Sequence, residues 1–176
     1  MPQNNNPLKF RVTFIILPLA VLFLTTGLAA VFYGQLPADI HYRFNMDGDP
    51  SGEAVSKAAF AALMLGIQAV LTITAYLTVK IIGQVRLFQE NVHSFVFEPS
   101  RLLTIMGNLP AIVQLIIGYI LLDSIIYALQ NDHLLPLLPF ALVILSIGGI
   151  ILIGYALPMV IRAYRNFNSY QENKKE

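Results

Sequence analysis

Four long stretches of this 176-residue chain carry almost no charge, and they limit what it can fold into. A bilayer core about 30 Å thick takes about 20 apolar residues as a helix, because lipid offers no hydrogen-bond partner to an open backbone. The stretches run over 12–32, 58–79, 102–129 and 134–161, and Asp123 is their only charged residue. The sequence therefore predicts a single all-α domain, an integral membrane four-helix bundle made of two transmembrane hairpins.

The distribution of lysine and arginine predicts the orientation of these helices. Short loops rich in these residues stay in the cytoplasm, and all but two of the eleven basic residues fall on one side of the predicted spans. The two exceptions are Arg43 and Lys57. We therefore expect a multi-pass protein of the cell membrane with both termini in the cytoplasm. The segments expected outside are 34–57, called the first loop below, and the short turn 130–133.

The predicted cytoplasmic connector, 80–101, has an amphipathic pattern. Its apolar side chains recur at steps of three and four residues, at Ile81, Val85, Phe88, Val92 and Phe95. This is the period of a helix with one apolar face. Such a helix either rests against lipid headgroups or offers a groove to a partner helix, and both interpretations stay open.

Composition and motifs exclude several classes of function. The chain has no cysteine, which rules out disulfides, thiolate metal sites and thiol nucleophiles. The formal net charge is only +1, so no nucleic-acid partner is expected. The sequence lacks the common hydrolase, dinucleotide and zinc-protease motifs. We therefore expect a protein that is not an enzyme and has no cofactor, with the lipid bilayer as its first partner.

The first loop holds the main concentration of polar side chains on the predicted outer side. Asp47 with Gly48 suits a tight turn, because glycine permits a positive φ. Ser56 can cap the second span. The candidate functional residues of the loop are His41, Arg43, Asn45, Asp47, Asp49, Glu53 and Lys57.

Metal binding is a less favoured interpretation of these residues. The acidic part of the loop alternates oxygen ligands as a calcium loop does, but with Gly48 at the sixth position Arg43 falls first and Ala54 twelfth. Neither side chain is a calcium ligand. His41 and His133 share the predicted outer side without a chelating spacing. A solvated acidic turn is therefore favoured over a loose calcium contact or a zinc or proton site.

A set of loop residues follows the first apolar helix in a recognisable order. The set is Leu36, Pro37, Ile40, Phe44, Asn45, Gly48, Pro50, Gly52, Ser56 and Lys57. Over about 14–65 this pattern resembles the membrane domain called domain of unknown function 1648, which occurs in the immunity protein for the sporulation-delaying toxin and in many bacterial and archaeal membrane proteins. The chain departs from the pattern at His41, Arg43 and Ser51, where the family usually has proline, histidine and aspartate. The resemblance implies a binding, sensing or immunity-type role.

Two polar residues of the third span are candidate intramembrane sites. A charged side chain within a span costs on the order of 2.5–3.5 kcal/mol to insert, so Asp123 needs a partner or a role. It can pair with Arg43 or Lys57, reach the headgroups, or bind a proton or cation. Asn108 is expected to join spans by hydrogen bonds. The other polar residues with this expected role are Gln68, Thr72 and Gln114.

Two kinds of function follow from these features. The favoured one is a non-enzymatic membrane protein that binds or senses a ligand outside the cytoplasm, or gives immunity-type protection against a peptide or toxin. The alternative is a small transporter, which with four spans is expected to form a homo-oligomer, or an accessory subunit with a membrane-protein partner. Asp123 and Asn108 are the polar features on which the alternative depends.

Overall fold

Four helical stretches among the residues that the structure describes are long and apolar enough to cross a membrane. The computed structural model describes residues 10–45, 49–84 and 99–173. A 3-10 turn, Val12–Ile15, leads into the first helix. The helices are α1 (Ile16–Phe32), α2 (Lys57–Gln84), α3 (Pro99–Asn108), α4 (Pro110–Gln130) and α5 (Leu137–Asn173). The four predicted spans are confirmed as helices, with α3 and α4 together forming the third, and their apolar surfaces fit association with a lipid bilayer.

Proline does not end the spans that contain it. Leu109, between α3 and α4, keeps helical dihedral angles, and its N–H donates to the O of Ile105 at 2.9 Å. Pro110 is the first residue of α4, where a missing N–H costs little. Pro158 lies inside α5, which continues to Asn173. The third stretch therefore runs on as one span through its proline.

The core of the protein is formed by α1, α2 and the α3–α4 pair. One apolar cluster lies at the end that carries the first loop: Ala29, Leu36, Ile40, Phe60, Met64, Leu121 and Ile125. A second lies at the opposite end: Phe14, Ile15, Ala75, Val79 and Leu103. In lipid, such contacts stabilise the fold through close packing rather than through exclusion of water.

The last helix, α5, lies at the side of this core and packs mainly against α4. Only 6% of its most apolar window is buried, against 28–33% in the other three spans. It lies close to α4 at Gly148, where an added Cβ would lie 2.6 Å from Cδ1 of Ile112. The helices are therefore a three-span core with a fourth span attached, rather than four spans that share one core equally.

The first loop contains a short antiparallel ribbon, which the all-α prediction did not include. β1 (Asp39–Ile40) pairs with β2 (Val55–Ser56), and the N–H of Lys57 donates to the O of Ala38 at 2.9 Å. Ile40 is only 1% exposed and belongs to the apolar cluster beneath the loop. The ribbon is therefore fixed to the helices.

Ser56, at the end of the ribbon, caps the start of α2. The Oγ of Ser56 accepts the N–H of Ala59 at 3.3 Å, which confirms the predicted cap of α2. The predicted turn at Asp47, within 46–48, and most of the amphipathic connector, 85–98, lie outside the described residues.

Candidate functional site

The segment 131–136, called the α4–α5 turn below, brings a histidine back to its own helix. Asn131 has a φ of 56°, in the left-handed region that asparagine tolerates, and its N–H donates to the O of Tyr127 at 2.9 Å. The side chain of Asp132 accepts the N–H of His133 at 2.9 Å. This reversal places His133 beside Asp123, ten residues earlier in the chain.

The carboxylate of Asp123 is held by two groups of this turn. Its Oδ2 lies 2.8 Å from Nδ1 of His133, and its Oδ1 accepts the N–H of Leu134 at 3.0 Å. The side chain of Asp123 is 12% exposed and that of His133 is 25% exposed. Hydrogen bonds to an ionised group are roughly twice as strong as neutral ones. Asp123 therefore fastens the α4–α5 turn to α4.

Pairing of Asp123 with Arg43 or Lys57, one of the three roles that the sequence left open for this carboxylate, is wrong. The guanidinium of Arg43 lies over the ring of Tyr42, 5.3 Å from its centroid. The ammonium of Lys57 lies over the ring of Tyr33 at 5.2 Å. Each cation lies over an aromatic ring, and His133 of the α4–α5 turn is the side chain that pairs with Asp123.

The imidazole of His133 contacts two aromatic rings. Tyr127 stacks on it with centroids 4.7 Å apart, and Phe44 meets it at 4.5 Å with an interplanar angle of 86°. Phe44 also contacts Tyr127 at 4.8 Å. Because Phe44 belongs to the first loop, where it pairs with Pro50, it joins that loop and the α4–α5 turn into one surface.

Tyr119 holds the other part of the turn. Its hydroxyl accepts the N–H of Leu135 at 3.0 Å and donates to the O of the same residue. Its ring stacks on Phe140 of α5 with centroids 3.8 Å apart. Tyr119 thus attaches the beginning of α5 to the core.

The candidate residues of the first loop are largely open to solvent. Arg43, Asn45, Asp49 and Glu53 are exposed, while His41 and Lys57 are half-buried. Asn45 closes a turn, since its Oδ1 accepts the N–H of Asp49 at 2.8 Å and its own N–H donates to the O of Asp49 at 2.9 Å. Among the described residues, no three histidine, aspartate or glutamate side chains lie close enough together to hold a metal ion. The loop presents exposed charges on a folded ribbon.

A polar layer crosses the middle of the three-span core. The amide Nε2 of Gln114 in α4 donates to the O of Gln68 at 2.9 Å and to Oγ1 of Thr72 at 2.8 Å, both in α2. The hydroxyl of Thr25 in α1 reaches Oε1 of Gln68 at 2.7 Å. The expected hydrogen bonds between the second and third spans are confirmed. The layer also includes α1, through Thr25.

Asn108 joins the end of α3 to the start of α1. Its Oδ1 accepts the N–H of Leu17 at 2.9 Å, and its Nδ2 donates to the O of Thr13 at 3.2 Å and of Phe14 at 3.1 Å. The first N–H groups of a helix have no partner within it, and the N-cap residue of α1, Ile15, provides no side-chain hydrogen bond. Asn108 therefore caps α1 from a neighbouring helix, which is a structural role.

Neither a scan of protein-family models nor searches of curated proteins and of solved structures gave a match to this chain. The resemblance of 14–65 to domain of unknown function 1648 therefore stays a prediction. Phe44, Tyr119 and Tyr127 are site residues that were not among the residues predicted from the sequence. A signal for the two tyrosines was present, because each lies four residues from Asp123 and side chains at that spacing share a helix face.

We expect Phe44→Ala to loosen the first loop from the α4–α5 turn. The change deletes ring contacts with Tyr127 and His133, and aromatic pairs contribute about 0.5–1.5 kcal/mol each. Backbone amides of 41–45 should then exchange hydrogen faster, measured by mass spectrometry in nanodiscs. Phe23→Ala is the matched control, since Phe23 is 74% exposed on α1. Equal exchange in the two variants would contradict a joining role for Phe44.

Proposed function

We propose that this chain is a non-enzymatic protein of the cell membrane whose first loop and α4–α5 turn bind a ligand outside the cytoplasm, in sensing or in immunity-type protection. The contact of Phe44 with His133, at 4.5 Å, is the observation that carries the proposal. It fixes a loop with exposed polar groups onto the helix ends. A surface held in this way is preorganised for binding, which lowers the entropy lost when a ligand binds.

The charge of this surface suggests the chemistry of its ligand. The first loop and the α4–α5 turn contain five acidic residues, Asp39, Asp47, Asp49, Glu53 and Asp132, and two basic residues, Arg43 and Lys57. The bias of lysine and arginine toward the other side supports an outward orientation for it. A cationic peptide is the ligand that complements such a surface.

The resemblance to domain of unknown function 1648 supports the same proposal. Phe44 and Ile40, which tie the first loop to the helices, both belong to the matched pattern. In this interpretation the pattern describes a way of anchoring the loop, and the departures at His41, Arg43 and Ser51 are changes in which ligand the loop accepts.

Neutralising two exposed carboxylates should weaken binding of a cationic peptide. Exposed charge pairs contribute about 0.2–1 kcal/mol each, so we expect Asp49→Asn with Glu53→Gln to raise the Kd for a short Lys/Arg-rich probe peptide by about twofold to thirtyfold. The measurement is calorimetric titration of the protein in nanodiscs of zwitterionic lipid, at low and high salt. Added salt should reduce the difference between the variant and the wild type.

Two controls make this experiment decisive. Glu172→Gln removes a carboxylate near the C-terminus, on the other side in the proposed topology, and should leave the Kd unchanged. A Glu-rich peptide of equal length should bind weakly to every variant. Equal affinity of the wild type for the basic and acidic peptides would contradict the proposal.

A transporter or accessory subunit is the second candidate function. The observation that favours it is Asp123, a carboxylate inside a span with a side chain only 12% exposed. In this case Asp123→Asn should abolish transport in proteoliposomes, because the neutral amide cannot carry the charge that a cation or proton would exchange with. Undiminished transport in Asp123→Asn would remove the residue from such a mechanism.

A further inference from the structure

Three segments of the chain meet at the end of the protein opposite the first loop. Phe14 and Ile15, at the start of the first span, pack with Ala75 and Val79 of α2 and with Leu103 of α3. The start of the first span, the end of α2 and the start of α3 therefore lie together. Each of them is the place where an apolar stretch gives way to charged residues, so this end of the core is expected at the level of the lipid headgroups.

Two exposed basic residues belong to this end. Arg11 is the last charged residue before the first span, and Lys80 is the first charged residue after the apolar stretch of the second. Within the part of the chain that the structure describes, neither has a carboxylate partner, and the ion pair of Asp123 with His133 lies at the opposite end. Both positive charges are therefore open to an anion from outside the chain.

The ring of Tyr76 connects the segments that carry these two residues. Phe10, the residue before Arg11, meets Tyr76 edge-on, with centroids 5.2 Å apart and an interplanar angle of 71°. The ammonium of Lys80 lies over the same ring, 5.5 Å from its centroid. Phe10 is 42% exposed and Tyr76 is 37% exposed. The two basic residues thus flank one exposed aromatic surface at the ends of the spans.

A phospholipid has the groups that complement this surface. A guanidinium donates two parallel hydrogen bonds to phosphate oxygens, and an ammonium adds a compact positive charge. Tyrosine is favoured at the boundary between acyl chains and headgroups, and basic residues near the membrane surface attract anionic lipids. We propose that Arg11 and Lys80, with the rings of Phe10 and Tyr76 between them, form a binding site for the phosphate of an anionic phospholipid.

The distribution of carboxylates favours this end of the protein for an anion. Apart from Glu172 near the end of α5, every carboxylate among the described residues lies at the end that carries the first loop. They are Asp39, Asp49, Glu53, Asp123 and Asp132. An anionic headgroup is repelled by that acidic end and attracted to Arg11 and Lys80. A zwitterionic headgroup brings its own cation, so it gains less from the two basic residues.

A lipid titration tests the site. The full-length protein in maltoside micelles is titrated with dioctanoyl phosphatidylglycerol, and bound lipid is counted by native mass spectrometry. We expect Arg11→Gln with Lys80→Gln to raise the Kd about thirtyfold, because each basic residue contributes about fivefold. Lys80→Arg keeps the charge and should bind the lipid as the wild type does. Dioctanoyl phosphatidylcholine should bind the wild type more weakly and should respond little to the double variant.

Arg43→Gln with Lys57→Gln is the matched control. It removes the same two charges at the opposite end of the protein, where each cation also lies over a tyrosine ring. We expect this control to leave the Kd for phosphatidylglycerol unchanged, with helix content checked by circular dichroism in every variant. An equal loss of affinity in the two double variants would reduce the effect to net charge and overturn the site. Equal affinity of the wild type for the two lipids would also overturn it. No peptide is used, so a negative result leaves the proposed function standing.

Discussion

Replacing Gly107 by alanine should destabilise the protein more than any other glycine-to-alanine change in its described helices. A Cβ at this position would lie 2.1 Å from the backbone O of Phe14 and 2.6 Å from Cγ2 of Val79. The first contact is with backbone, which cannot move aside as the end of a flexible side chain can. Overpacking of this kind costs about 1–3 kcal/mol or more. We expect a loss of about 3 kcal/mol in the free energy of unfolding, measured by denaturation from lipid–detergent micelles.

Gly66→Ala provides the matched control for this prediction. Gly66 lies within α2, and an added Cβ there meets nothing within 4 Å. Alanine favours the helix over glycine by about 0.5–1 kcal/mol, so the control should be as stable as the wild type or slightly more stable. If Gly107→Ala unfolded at the same denaturant concentration as Gly66→Ala, the close approach of α3 to the start of α1 would be wrong.

Replacing Asn108 by alanine should have the next largest effect. The change removes the acceptor for the N–H of Leu17 and the donor to the O atoms of Thr13 and Phe14. Each net hydrogen bond contributes about 0.5–1.5 kcal/mol, and loss of a helix cap costs about 1 kcal/mol. We expect a loss of about 2 kcal/mol in the free energy of unfolding. Backbone amides should also exchange hydrogen faster, and this increase should appear first at the start of α1.

Thr74→Ala separates this effect from general loss of polar groups in a span. Thr74 is exposed on α2, and its hydroxyl donates within its own helix to the O of Val70 at 2.9 Å. Because this hydrogen bond lies within α2, its loss leaves no polar group of another helix without a partner. The free energy of unfolding should therefore change little. An Asn108→Ala protein as stable as Thr74→Ala would show that the cap contributes nothing.

The spans could be predicted because their cause is local. Every backbone group in lipid needs an intramolecular partner, so a long apolar stretch has few alternatives to a helix. The polar layer could be predicted for a similar reason: Gln68 and Thr72 are four residues apart on one helix face, and such side chains seek partners across spans. Gln114 provides that partner.

The candidate site could be predicted only in part, because its contacts depend on the path of two loops. Asp123 stood out by its charge alone. Its partner is set by the left-handed conformation of Asn131, which reverses the chain and returns His133 to α4. Phe44 reaches the site because the ribbon of the first loop folds across the helix ends. Neither path follows from hydropathy or from periodicity.

The position of Asn108 also has a consequence for the order of events during synthesis. The N–H of Leu17 finds its partner 91 residues later in the chain. At about 5–20 residues per second, the ribosome needs on the order of 5–20 s to make that partner after Leu17. The first span is therefore the earliest to be made but is completed only after the second, and a nascent chain that stalls before residue 108 holds α1 without the group that caps it.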